Sequence, residues 1–135
     1  MMRDMNTLVT PSPTPSDPAV IAVFGISNCD SVKKARRWLA QQGVAYAFHD
    51  FKKGGVPADQ LPSWIATLGW EKLLNRKGTT WRQLDATAQA AVVDVQSASA
   101  LMLAQPSVIK RPVIDWGRGR ISVGFDIDSF TASLP

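Results

Sequence analysis

Val20-Ile21-Ala22-Val23-Phe24-Gly25-Ile26-Ser27-Asn28-Cys29-Asp30-Ser31-Val32-Lys33-Lys34-Ala35 reads as a strand handing over to a helix. The apolar run Val20 to Phe24 is short, rich in Val, Ile and Phe, and closed by Gly25, the pattern of a buried strand. Ser27 to Ser31 is a cluster of turn and capping residues. Beyond it Val32, Ala35 and Leu39 recur at helical spacing, with Lys33, Lys34, Arg37 and Gln41 on the other sides and Gly43 as the stop. Tyr46 to Phe51 alternates as a second strand does. Strand, helix and strand in so short a span make a βαβ unit, whose strands run parallel.

Residues 1–18 hold Pro11, Pro13, Pro15 and Pro18 among Ser and Thr, which predicts a disordered tail ahead of a single domain over 19–135. After the βαβ unit the chain turns helical. Pro57 suits the first turn of a helix carrying Leu61, Trp64, Ile65 and Leu68, with Gly69 at its end. Pro62 fits that helix only in its first turn or with a later start. Trp70 to Leu74 adds a short turn; Trp81 to Leu84, Ala86 to Val95 and Ser97 to Ala104 read as further helices, ended by Pro106. Pro112 to Asp115 and Arg120 to Val123 then form a hairpin around Gly117 to Gly119, and a last helix starts at Asp126. The predicted class is α/β: a thioredoxin-like fold, a central mixed β-sheet flanked by helices, with a helical insertion.

The chain has 135 residues, 45% hydrophobic and 19% charged, a globular balance. No apolar run approaches the ~20 residues of a membrane helix, and the N-terminus lacks a signal-peptide pattern. One cysteine forms no internal disulfide, so the expected location is cytoplasmic. The net charge of +4 comes from short, scattered groups: Lys33, Lys34, Arg36 and Arg37; Arg76 and Lys77; Lys110 and Arg111. That distribution fits a small anionic ligand better than nucleic acid. A monomer without metal is the expectation.

Cys29 stands where unpaired amides and the positive end of the helix dipole stabilise an anion. A free thiol titrates near ~8.5, and helix N-termini lower that value. The alternative is a small buried hydrophobe, but the polar neighbours Ser27, Asn28, Asp30 and Ser31 favour a reactive thiol. Asn28 is a candidate donor to the sulfur, and Ser31 a candidate helix cap. His49, the only histidine, is a weaker candidate for orienting a thiol. Trp64, Trp70 and Trp81 are expected to pack rather than to bind.

Gly25-Ile26-Ser27-Asn28-Cys29-Asp30-Ser31-Val32-Lys33-Lys34-Ala35 resembles the arsenate reductase (ArsC)-like family, and within it the YffB-type branch, related to Spx and MgsR. The resemblance continues through Phe48 to Phe51, Leu68 to Glu71, Leu73 to Arg82 and Ile109 to Pro112. It implies the thioredoxin-like fold, Cys29 as nucleophile, Arg111 as a group binding oxyanion or thiolate, and Pro112 as a cis-proline. Arsenate reductases of the family carry an arginine directly after the Leu-Leu pair, where this chain has Asn75 followed by Arg76. They carry another in the segment that reads Val123-Gly124-Phe125 here; Arg118 and Arg120 lie near it in sequence. A tetrahedral oxyanion needs several fixed guanidinium donors, so these departures point from arsenate toward thiol substrates.

A thiolate that attacks a disulfide becomes a mixed disulfide, which a second thiol must resolve. Position +3 from Cys29 is Val32, so the resolving thiol comes from outside. The resemblance implies glutathione as co-substrate, with glutathione or glutaredoxin as partner and a small oxidised or disulfide compound as substrate. Asn28, Lys33, Arg76 and Pro112 are the candidate glutathione-binding residues. The alternatives are an Spx-like regulator binding RNA polymerase, and arsenate reduction proper.

Overall fold

The structure, a computed structural model, describes residues 21–134; the proline-rich segment 1–18 and Val20 lie outside the described residues. The elements are β1 (Ile21–Gly25), α1 (Asp30–Gln41), β2 (Tyr46–Asp50), α2 (Phe51–Gly54), α3 (Leu61–Leu68), α4 (Trp70–Leu73), α5 (Thr79–Gln83), α6 (Ala86–Ala90), α7 (Val95–Ala104), a 3-10 turn (Pro106–Val108), β3 (Val113–Gly117), β4 (Arg120–Val123) and α8 (Ile127–Ser133). The strands form a mixed sheet in the order β2-β1-β3-β4, with β1 parallel to β2 and antiparallel to β3. This is the expected thioredoxin-like sheet flanked by helices.

β1 is central, which explains its unbroken apolar run. Side chains alternate across a strand, and both faces are covered. Ala22 and Phe24 pack with Phe51, Leu61, Trp64, Leu73 and Met102 under the helical insertion. Ile21 and Val23 face the other way, onto Ala35 and Leu39 of α1 and Phe130 of α8. Parallel pairing with β2 is possible because α1 makes the crossover, and α1 stops where Gly43 takes φ +68°.

Several boundaries differ from expectation. β2 ends at Asp50, whose carboxylate accepts from the Lys52 amide and caps α2, so Phe51 begins a helix instead of finishing a strand. α3 starts at Leu61, after a turn in which the Pro57 carbonyl accepts from Gln60 and Leu61. Pro62 thereby falls in the first turn, where a missing N–H costs nothing. The stretch Ala86 to Val95 breaks after Ala90, because the Asp94 and Ser97 side chains build a capping box that starts α7 at Val95.

The registers place the ends of the strands. Phe24 pairs with Val113, so the residues before β3, Arg111 and Pro112, arrive beside the end of β1 and the start of α1. Val113 pairs with Val123, and the Gly124 amide donates to the Pro112 carbonyl at 2.9 Å, which brings Val123 to Phe125 to the same end. From the insertion, Leu74 bridges Ile109; the Asn75 amide donates to the Val108 carbonyl at 2.7 Å and the Lys110 amide to the Leu73 carbonyl at 2.8 Å.

Candidate functional site

These registers converge on a cleft of about 440 Å³ lined by Cys29, Ser31, Asn75, Lys110, Arg111, Val123, Gly124 and Phe125. Cys29 is itself the N-cap of α1, in extended backbone at φ −136° and ψ 127°, and its carbonyl takes the first helical bond from the Lys33 amide at 2.9 Å. The expected cap, Ser31, is inside the helix. A sulfur at this position occupies the place of a capping oxygen, where it meets the amides of the first turn. Partial burial on its own raises the thiol pKa. The Val32 amide, the Arg111 guanidinium and the Ser31 amide outweigh that effect, and the net shift is downward. Cys29 is a half-buried, free thiol, accessible enough to react.

The Arg111–Pro112 peptide bond at the head of β3 is cis, and the Cys29 sulfur accepts a hydrogen bond from the Arg111 side chain. Its Nη1 donates to the Ser107 carbonyl at 2.9 Å, which holds the side chain in place, and its Nε is buried without a hydrogen-bond partner. A buried donor left unpaired is costly, and it raises the local positive potential.

The other candidates fall elsewhere. Asn28 and Lys33 are exposed at the start of α1, where Lys33 Nζ donates to Asn28 Oδ1 at 3.4 Å; neither lines the cleft. Arg76 is exposed between two indoles, 5.8 Å from the Trp70 ring and 6.0 Å from the Trp81 ring. Trp70 and Trp81 thus hold an arginine at the surface, and Trp64 is buried in the core beside Phe24. His49 lies in a different hollow with Arg36 and Asp50, its Nε2 paired with the Gly55 carbonyl at 2.7 Å. Arg118 sits in the β3–β4 turn, and Arg120 donates to the Ala132 carbonyl at 3.3 Å. Asn75, read from the sequence as standing in place of a family arginine, lines the cleft, and so does Lys110, to which sequence reasoning gave no role there. The signal for Lys110 is long-range: the Leu74–Ile109 bridge, which no local pattern announces.

Chemically the cleft offers a lowered-pKa thiol, two cationic side chains, two polar side chains and an apolar wall, with no carboxylate among the lining residues. Among the described residues no group of three or more His, Cys, Asp or Glu side chains gathers as a metal site. No helix among them is long and apolar enough to cross a membrane.

The ArsC family model matches residues 24–133, which includes Cys29 and the Arg111–Pro112 element. A solved structure named YffB is 48% identical, covers 86% of this chain and all of its own, and superposes with a TM-score of 0.80. An arsenate reductase (ArsC) related protein from Brucella melitensis is 47% identical over 84% of this chain and 92% of its own, with a TM-score of 0.66. The global transcriptional regulator Spx of Streptococcus agalactiae is 29% identical, covering 86% of this chain and 84% of the regulator. Matched from the end of its first strand to its last helix, the chain belongs to the ArsC family.

Proposed function

We propose that this protein is a glutathione-dependent thiol–disulfide reductase with one nucleophilic cysteine. The observation that carries the reading is Cys29 at the α1 N-cap, its pKa lowered by the Val32 amide and Arg111, in a chain with no second cysteine. In the first step the Cys29 thiolate attacks one sulfur of a substrate disulfide R–S–S–R′. A Cys29–S–S–R bond forms, the S–S bond of the substrate breaks, and R′–S⁻ leaves and takes up a proton. In the next step a glutathione thiolate either attacks the substrate sulfur and displaces Cys29, or attacks the Cys29 sulfur and expels R–S⁻, which takes up a proton. The second route leaves a Cys29–S–S–glutathione bond that a second glutathione thiolate resolves to glutathione disulfide. By the first route the Cys29 thiolate is regenerated and R–S–S–glutathione departs; where R is itself glutathione, the product is glutathione disulfide. Where both substrate sulfurs leave as thiols, two glutathiones supply the two electrons and depart as glutathione disulfide; in either route the protein returns unchanged.

Arg111 stabilises the attacking thiolate, and it stabilises the same thiolate again as leaving group. A low-pKa leaving group departs faster, so one guanidinium serves both steps. Arsenate is a poorer fit: the family's arginine positions read Asn75 and Val123 to Phe125 here, and these line the cleft with an amide and an apolar wall. The cytoplasm, with its glutathione pool, supplies the external thiol the reading requires.

The test is glutathione-coupled reduction of a mixed disulfide by the wild type and by Cys29→Ser. The expected result is turnover in the wild type and none in the variant. Equal rates in both would end the proposal. The similarity to Spx supports a second reading, a regulator that binds RNA polymerase. Co-purification of the polymerase with this chain, together with no turnover, would favour it.

A further inference from the structure

We propose that Asn75 and Lys110 form a carboxylate-reading rim on the Cys29 cleft, so that its substrates are thiols and disulfides carrying a carboxylate close to sulfur. This rests on the reading of Cys29 as a disulfide-exchanging thiolate. Three observations support it. First, the charge of Arg111 is already engaged: its Nη1 is held by the Ser107 carbonyl and its guanidinium faces the Cys29 sulfur. The further cation among the lining residues is Lys110, which is exposed, while its backbone is pinned to Leu73.

Second, Asn75 presents a donor. Its Oδ1 accepts from the Lys77 amide at 3.2 Å. An amide N–H can be met only by the oxygen, so this bond fixes which way the side-chain amide points. The NH₂ group is what remains for a ligand. The absence of a side chain at Gly78 leaves room for it, since an added Cβ there would stand 2.7 Å from Asn75 Nδ2.

Third, no carboxylate among the lining residues opposes an anion, and the lining stretch Val123, Gly124 and Phe125 carries no polar side chain. Gly124 adopts φ +86° and a Cβ there would meet nothing within 4 Å, so the wall is open at that point. An amide donor and an ammonium brought together by the Leu74–Ile109 bridge, in a cleft whose other lining includes an apolar stretch, match a small molecule that carries a carboxylate as well as its sulfur.

The experiment measures second-order rates of Cys29 mixed-disulfide formation with three probes: glutathione disulfide (anionic), hydroxyethyl disulfide (neutral) and cystamine (cationic). The quantity read is each charged probe's rate divided by the neutral probe's rate for the same variant, which cancels any change in the thiol itself. Lys110→Glu should lower the glutathione disulfide ratio about tenfold and raise the cystamine ratio, with the effect shrinking at high salt. Asn75→Ala should lower the glutathione disulfide ratio about threefold and leave cystamine unchanged. Lys72→Glu, the same charge change at an exposed position outside the cleft, should leave both ratios unchanged. Ratios unmoved in Lys110→Glu and Asn75→Ala, with hydroxyethyl disulfide still reacting, would overturn the rim and leave the reductase reading standing. A wild-type Cys29 that attacks hydroxyethyl disulfide no faster than free cysteine does would overturn both.

Discussion

The Arg111 guanidinium faces the Cys29 sulfur across the cleft, although the two residues come from opposite ends of the domain. Antiparallel pairing of Phe24 with Val113 brings them together, since it sets the head of β3 against the exit of β1. The pairing is therefore a property of the sheet, and the thiolate depends on it.

The pH dependence of alkylation should report that contact. Iodoacetamide labelling of Cys29 should rise with a midpoint below the ~8.5 of a free thiol. Arg111→Met should move the midpoint up, and Arg111→Lys should fall between. The sign for stability follows: a folded-state pKa below the unfolded one contributes stability that is fully present above the unfolded value and lost as pH falls through the folded one. Urea denaturation of wild type against Cys29→Ser should show the wild-type advantage growing as pH rises toward the free-thiol value of ~8.5 and levelling off above it.

Val32 stands three residues after Cys29, at the position where a resolving thiol would sit, and it is fully buried. Val32→Cys should fold, because the thiol is a small apolar group. On mild oxidation it should give a monomeric intramolecular disulfide, seen by mass spectrometry as the loss of two hydrogens. The wild type should give only mixed disulfides or disulfide-linked dimers under the same conditions.

Gly25 lets α1 close on β1: an added Cβ would lie 2.7 Å from Val32 Cγ2. Gly25→Ala should lower stability by about 1–3 kcal/mol through overpacking, measured by urea denaturation. It should also slow Cys29 alkylation at neutral pH, since it displaces the first turn whose amides face the sulfur.

Gly78→Ala should act on Asn75 rather than on the fold. Gly78 has an ordinary φ of −78°, so alanine is conformationally acceptable there; the added methyl collides with the Asn75 amide. The glutathione disulfide rate relative to hydroxyethyl disulfide should drop as it does in Asn75→Ala, while the urea midpoint stays within a narrow range of wild type.

Trp64 is 1% exposed and packs at a tilt against Phe24 and Phe51, at 4.8 and 6.2 Å between ring centres. Trp64→Ala should cost about 3–5 kcal/mol in urea denaturation. A loss below 1 kcal/mol would show that the insertion contributes little to the sheet's core.

The strand–helix handover, the parallel pair and the terminal hairpin were legible because each rests on short-range pattern: an apolar run, a helical period, a glycine turn. Cys29 was legible for the same reason, since its neighbours mark a helix start. The cap was misplaced by two residues, at Ser31, because sulfur is not counted among capping side chains even where it takes that position. Asn75 was legible only through the family's arginine position, and Lys110 stayed hidden, because a single bridge, Leu74 to Ile109, carries both to the cleft. Arg76 looked like a ligand residue on charge alone; its place between Trp70 and Trp81 depends on how two short helices flank one turn.

The walls of the cleft come from four separated pieces of chain, and the last of them, Val123 to Phe125, lies near the C-terminus. Synthesis runs from the other end. While the ribosome is still adding residues, Cys29 has emerged but Arg111 and the hairpin have not. Until they do, the sulfhydryl has no Arg111 beside it, and a free thiol is only to a minor extent thiolate at neutral pH. Arg111's share of the lowered pKa thus belongs to the finished sheet, since the β1–β3 pairing is what sets Arg111 beside the sulfur.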